Sequence, residues 1–156
     1  MNQNRNFTLL PKGLIIATSI GVVAAVIFGV FFSELKNENQ LVFVDGPALS
    51  LVTEKTDFKK GEDIKIRIVN SGTVPITFSD ASYGLKITQL DTIELYSPIA
   101  AQMISTLEPK EEVTFTWDQI KNDGDPALEG LYKIISEGKD SEQNKISKSI
   151  TVHIYK

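Results

Sequence analysis

Residues 107–134 read LEPKEEVTFTWDQIKNDGDPALEGLYKI, and the fold turns on how they are read. A turn marked by Pro109 leads into a run where Val113, Phe115 and Trp117 alternate with Thr114 and Thr116. Period-two alternation places apolar side chains on one face of a strand and polar ones on the other. An acidic loop of turn-forming residues, NDGDP, comes next, and GLYKI then carries Tyr132 and Ile134 inward. Such a stretch builds scaffold: large aromatics at inward positions of alternating runs fill the space between sheets.

The same pattern extends in both directions. In IKIRIVN, residues 64–70, Ile64, Ile66 and Ile68 face one way and Lys65, Arg67 and Val69 the other. FKKGED before it and NSGT after it are turns. VPITF sends Val74, Ile76 and Phe78 inward, and Pro75, with no N–H to donate, predicts an edge strand. YGLKITQL and TIELY read as strands on either side of Asp91. ISKSITVHIY alternates Ile146, Ile150, Val152 and Ile154 against Ser149, Thr151, His153 and Tyr155, and LSLVT supplies a strand near residue 50. No apolar period of 3.6 follows the first forty residues. The expectation is an all-β, immunoglobulin-like antiparallel β-sandwich of about seven to nine strands over residues 41–156.

Ahead of it lies a different kind of sequence. Residues 14–32, LIIATSIGVVAAVIFGVFF, are 19 consecutive positions without a charge. As a helix they reach roughly 28 Å, close to the roughly 30 Å of a hydrocarbon core. Apolar side chains line every side, as in a membrane span and unlike a core helix with a polar face. The run exceeds a secretory h-region and ends in Val30-Phe31-Phe32-Ser33, a poor cleavage site, so an uncleaved anchor is expected. Arg5 and Lys12 flank it upstream, while SELKNENQ downstream mixes signs. The positive-inside bias therefore places residues 1–13 in the cytoplasm and everything after the anchor outside the cell membrane, with residues 33–40 as a short linker.

Composition narrows the chemistry. The chain has 156 residues, no cysteine and one histidine, so disulfides and Cys-ligated metal sites are excluded. Net charge is −4; with Arg5 and Lys12 set apart, the remainder carries 14 − 20 = −6. That acidic balance disfavours nucleic acid, whose binding needs clustered Lys and Arg. No Gly-rich phosphate loop and no H-E-x-x-H occurs. His153 alone makes neither a copper site nor a triad with loop freedom, and reads as a surface residue on the polar face of the last strand. No cofactor is implied, and the chain is read as non-enzymatic.

Taken in order, NSGTVPITF, Tyr83, LEPKEEVTFTWDQ, a Gly-containing loop and GLYKI resemble the BsuPI family of intracellular proteinase inhibitors over roughly residues 49–136. The family's pattern is similar: an Asn-containing turn, a Leu-x-Pro-Gly-Glu turn, an aromatic strand ending in Trp and a Gly-x-Tyr strand. The resemblance implies an immunoglobulin-like fold and a habit of binding other proteins. It departs at Pro109-Lys110-Glu111, where the family has Pro-Gly-Glu, so this turn cannot rely on glycine. No residue corresponds to a reactive-site bond, and inhibition is not carried over.

Two segments stand out as candidate sites. In SPIAAQMISTL, residues 97–107, Ile99, Met103 and Ile104 lie in a charge-free stretch between charged ones. They form either an exposed patch for a partner or a crossover packed over the end of the sandwich. Asp123, Asp125 and Glu129 give a cluster of oxygen donors that calcium favours, although their spacing is not that of an EF-hand and Asp-Gly-Asp-Pro is ordinary turn chemistry. The expected function is that of a membrane-anchored, extracytoplasmic binding or accessory module, held in the lipid bilayer by residues 14–32 and facing another extracytoplasmic or membrane protein. The alternative is a pilin-like or archaellum-associated structural subunit: PKGLIIA is similar to an archaeal pilin leader cut after Gly13, with the apolar helix kept and the sandwich outward.

Overall fold

Alternation drives ten strands, which the computed structural model places within its described residues, 41–89 and 93–156. The cytoplasmic segment, anchor and linker expected over 1–40, cleavage after Gly13, and the turn at Asp91 lie outside those residues. The strands are β1 (Leu49–Thr53), β2 (Asp57–Lys59), β3 (Ile64–Asn70), β4 (Ile76–Phe78) and β5 (Lys86–Gln89), then β6 (Glu94–Tyr96), β7 (Ser105–Leu107), β8 (Glu112–Trp117), β9 (Gly130–Lys139) and β10 (Lys145–Tyr155). No helix among the described residues is long and apolar enough to cross a membrane.

Two sheets result. One has the order β1-β3-β8, antiparallel throughout, with Ile66 opposite Thr53 on one side and Phe115 on the other. The second runs β2-β10-β9-β4-β7, and β5 also pairs β9 and carries β6. Inward residues of both sheets meet in one apolar cluster: Leu51, Ile64, Ile66, Ile68 and Trp117 from the first, Phe58, Ile76, Phe78, Ile87, Tyr132, Ile134, Val152 and Ile154 from the second. Trp117 and Tyr132 join the layers edge to face, their ring centroids 5.6 Å apart.

Both indole and phenol find partners at the margin of the core. Trp117 Nε1 donates to the Ile120 carbonyl at 2.9 Å. The Tyr132 hydroxyl donates to the Leu128 carbonyl, four residues upstream, at 2.6 Å, as in a tyrosine corner. Buried Asn70 is a third such knot. Its amide donates to the carbonyls of Val74 and Leu107, each at 2.8 Å, and its oxygen accepts the Gly72 N–H at 3.0 Å.

Five expectations need correction, the first being that Tyr83 opens a strand: it lies in the turn before β5. There are ten strands rather than seven to nine, because β2 and β7, three residues each, add to the eight runs read from the sequence. The arrangement is not wholly antiparallel: β2 pairs with β10 in parallel, Phe58 opposite Ile154. Pro75 does not mark an edge, since it precedes β4, which lies between β9 and β7. Val69, read onto the wet face with Lys65 and Arg67, is buried, one residue from Asn70, where the 108–111 turn closes on β3.

Candidate functional site

The segment between β6 and β7 lacks strand pairing over residues 97–104, and its side chains leave the core. Ile99 is fully exposed, at 106 %, with Ile104 at 74 % and Met103 at 59 %. Of the two readings of residues 97–107, exposure is what residues 99, 103 and 104 show. The crossover reading holds for the end, where Ser105–Leu107 pairs with β4 and Leu107 is buried. Short bonds give the loop its shape: Met103 and Ala81 both donate their N–H to the Ala101 carbonyl, at 2.9 and 3.1 Å.

Two of the three apolar residues, Ile99 and Ile104, line separate depressions. Ile99 joins Tyr96, Pro98 and Ile120 in a groove of about 650 Å³, with Asp63, Asp118 and Lys121 among its lining. Ile104 borders a depression of about 420 Å³ with Phe78, Gly138, Lys139 and Lys145. Burial pushes the Tyr96 phenol up, with the Asp118 carboxylate adding to the effect.

Ile120 was not legible as a site residue, lying in a loop whose composition speaks only of turns. It is held out by the corner after β8. Gln119, buried and at φ 62°, accepts the Gly61 N–H at 2.8 Å and donates to the carbonyls of Lys59 and Glu62 at 2.9 and 2.8 Å. That side chain pins the corner to the β2–β3 turn. Asp118 Oδ1 accepts the Ile120 N–H at 3.0 Å, and Ile120 bridges to Pro126. The loop also meets the neighbouring strand, the Asn122 N–H donating to the Leu95 carbonyl at 2.9 Å. The quoted WDQ was the available signal, and it concerns the scaffold.

Asp123 and Asp125 sit around a cation already in the chain. Lys121 Nζ lies 3.0 Å from Asp123 Oδ2 and 3.9 Å from Asp125 Oδ2, and Asp123 Oδ1 accepts the Asp125 N–H at 2.9 Å. The Asp125 N–H, then the Lys121 ammonium, hold the Asp123 carboxyl below its ordinary value. Glu129 lies beyond, exposed, and no group of three His, Cys, Asp or Glu side chains suited to a metal occurs among the described residues. His153 stands exposed on β10 with its Nδ1 3.1 Å from Asp57 Oδ1. The Thr56 hydroxyl first, and His153 second, hold the Asp57 carboxyl low.

No family model and no curated protein matches the chain. Among solved structures it is similar to the sporulation control protein Spo0M of Bacillus subtilis, at 12 % identity and a TM-score of 0.43, over 72 % of this chain and 51 % of that one. It is also similar to the sulfur carrier protein SoxY of Chlorobium limicola, at 11 % identity and a TM-score of 0.44, over 90 % and 99 %. A third likeness is to a β-glucosidase of Listeria innocua, at 15 % identity and a TM-score of 0.31, over 70 % of this chain and 16 % of the enzyme. The chain thus spans about half the length of Spo0M and a small part of the glucosidase. At such distances none of the three assigns a function.

Proposed function

We propose that this chain is a non-catalytic, immunoglobulin-like binding module of BsuPI type, held on the outer side of a cell membrane by residues 14–32, that docks another extracytoplasmic or membrane protein through Ile99, Met103 and Ile104. The observation that carries this reading is the complete exposure of Ile99 beside largely exposed Met103 and Ile104, on a loop of a domain whose inward strand faces close on a shared core. Exposed apolar side chains that cluster on one loop mark contact surfaces more often than scattered ones do. The uncharged run of 19 residues supports the anchor, and Arg5 and Lys12 support the orientation.

The test is crosslinking in intact cells, with capture compared between the natural chain and a Met103→Asp, Ile104→Asp variant. Capture is expected to fall at least severalfold while thermal unfolding stays within a few degrees. Unchanged capture, or unfolding of the variant, overturns the docking surface. The intact mass of the membrane-extracted chain tests the anchor separately: a full-length N-terminus is expected, and loss of residues 1–13 turns the reading to the filament subunit.

A further inference from the structure

β8 presents an edge that nothing among the described residues covers. It ends the sheet β1-β3-β8, while the opposite edge, β1, comes close to β10 and β9. The Asn70 N–H donates to the Glu111 carbonyl at 3.0 Å, which sets the phase of the β3–β8 ladder. Bonded positions alternate along an antiparallel pair. Val113, Phe115 and Trp117 therefore turn their main-chain groups toward β3, and Glu112, Thr114 and Thr116 turn theirs away. Among the described residues no partner meets the main-chain groups of those three.

Apart from the charge of Glu112 at its start, the strand lacks the devices that blunt an edge. EVTFTW contains neither Pro nor Lys, and its register with β3 runs without a bulge. Its inward residues Val113 and Phe115 are only partly buried, so the core is thinly covered along this side. Thr114 and Thr116 are exposed, and the 650 Å³ groove opens beside Thr116.

We propose that β8 pairs antiparallel with β8 of a second copy, about a two-fold axis through Thr114, so that the two three-stranded sheets become one continuous sheet. The choice of a second copy rests on the strand being complementary to itself. With the axis at Thr114, Glu112 faces Thr116, Val113 faces Phe115, and Thr114 faces its own copy. Every main-chain group left open on Glu112, Thr114 and Thr116 finds a partner. No like charges oppose, and the Val–Phe pairs are of the aromatic–β-branched kind that stabilises sheets. An axis at Glu112 would oppose two glutamates, and one at Thr116 would require the buried Trp117. A two-fold contact of this kind uses the same patch on both subunits and closes on itself. This surface adjoins the one proposed on Ile99, Met103 and Ile104, since Ile99 and Thr116 line the same groove, but it uses the main-chain edge of β8 and none of those three side chains.

The natural chain contains no cysteine, which makes a single introduced thiol an unambiguous reporter. Opposed residues of a bonded antiparallel pair have Cα atoms about 5.5 Å apart, within the span of a disulfide. Full-length Thr114→Cys, in detergent micelles with copper phenanthroline as oxidant, is expected to convert mostly to a covalent dimer. Ser147→Cys, exposed on β10 of the other sheet, is the control and is expected to remain mostly monomeric. In the Thr114→Cys background, Thr116→Glu sets two carboxylates opposite each other and is expected to lower the yield roughly threefold or more, whereas Thr116→Lys sets a cation opposite Glu112 and maintains or raises it. Emission of the single tryptophan, Trp117, checks that each variant is folded. A Thr114→Cys yield no greater than the control, or equal effects of Glu and Lys at position 116, would overturn the proposal.

Discussion

Asn70 ties three segments of this domain together. It sits at the end of β3 with no exposure, and its three bonds reach Gly72, Val74 and Leu107. Its backbone adds two more, accepting from Lys110 at 2.9 Å and donating to Glu111 at 3.0 Å. One residue therefore joins the 71–74 turn, the end of β7 and the 108–111 turn. Asn70→Ala would strand two carbonyls and one N–H away from water, and a buried group left unpaired costs on the order of 1–3 kcal/mol. The expected loss is roughly 3 kcal/mol, read as a lower urea midpoint with unchanged slope. Asn70→Asp should fall nearly as far, since it keeps the acceptor for Gly72 and loses both donors.

Lys110 offers the opposite case. It adopts φ 71° at the position where the resemblance leads one to expect glycine, its side chain is exposed, and its turn is closed by Glu111 donating to the Glu108 carbonyl at 2.9 Å. Left-handed backbone costs a residue with a Cβ roughly 1–2 kcal/mol. Glycine removes that strain and gives back part of the gain through a more disordered unfolded chain. Lys110→Gly is expected to raise stability by up to about 1 kcal/mol, visible as a higher midpoint in thermal or urea unfolding. A decrease would mean that the turn is not strained at this residue.

Among the elements, long alternating strands were legible, the short β4 and β6 were legible within VPITF and TIELY, and the short β2 was not. IKIRIVN, VTFTW, GLYKII and ISKSITVHIY each carry enough period-two signal to set their own faces, and the fold uses those faces, Val69 excepted. β2 has one buried residue, Phe58, between two exposed ones, too little to distinguish from a turn, and its parallel pairing depends on where β10 ends. Pro75 misled because proline excludes ladder bonding only for its own residue, and β4 begins one residue later. The candidate loop was legible as a break in charge pattern. Its companion Ile120 was not, because Gln119 holds it in place through contacts some sixty residues away. Tyr83 was read as part of a strand and instead occupies the turn before β5 at φ 53°, its ring 5.2 Å from Phe78 and 6.2 Å from Phe115.

That turn owes its approach to β9 to one glycine. Gly84 lies at φ 60°, and a Cβ there would come within 2.1 Å of the Glu137 carbonyl oxygen. Main chain on both sides leaves no flexible side chain to yield. Gly84→Ala must therefore separate the 81–84 turn from β9, breaking the Glu137 N–H bond to the Gly84 carbonyl and the Ser136 hydroxyl bond to the Tyr83 carbonyl. Overpacking costs typically 1–3 kcal/mol, and with these bonds lost the expected effect is at the upper end, about 3 kcal/mol. Gly124→Ala, at φ 87° with open space around its Cβ, is the control for strain without collision and should cost about 1 kcal/mol. Equal losses in urea unfolding would show that the close approach to Glu137 is unimportant.

For the domain as a whole, acid is the condition that acts on many of its ties at once. Glu137 on β9 lies 3.1 Å from Lys86 on β5 and 3.0 Å from Lys145 on β10, so one carboxylate spans three strands of the larger sheet. Burial pushes its carboxyl up, but the Lys145 and Lys86 ammoniums outweigh that and hold it below its ordinary 4.5. The Ser82 hydroxyl holds Asp80 below 3.8, and Asn144 does the same for Asp140 in the β9–β10 turn. Each of these groups binds its proton more readily in the unfolded chain than in the folded one. Their stabilisation is therefore complete above the ordinary values and is lost as pH falls through the lower, folded ones. Stability should be level from pH 7 to about 5 and drop below about 4. Glu137→Gln should lower stability at pH 7 by about 0.5–1 kcal/mol, since the three side chains are partly in water, and should make the acid-side slope shallower. Urea midpoints for both chains between pH 7 and pH 3 check this: parallel curves would mean that Glu137 contributes nothing to the fall, and a variant lost more steeply in acid would reverse the sign assigned to it.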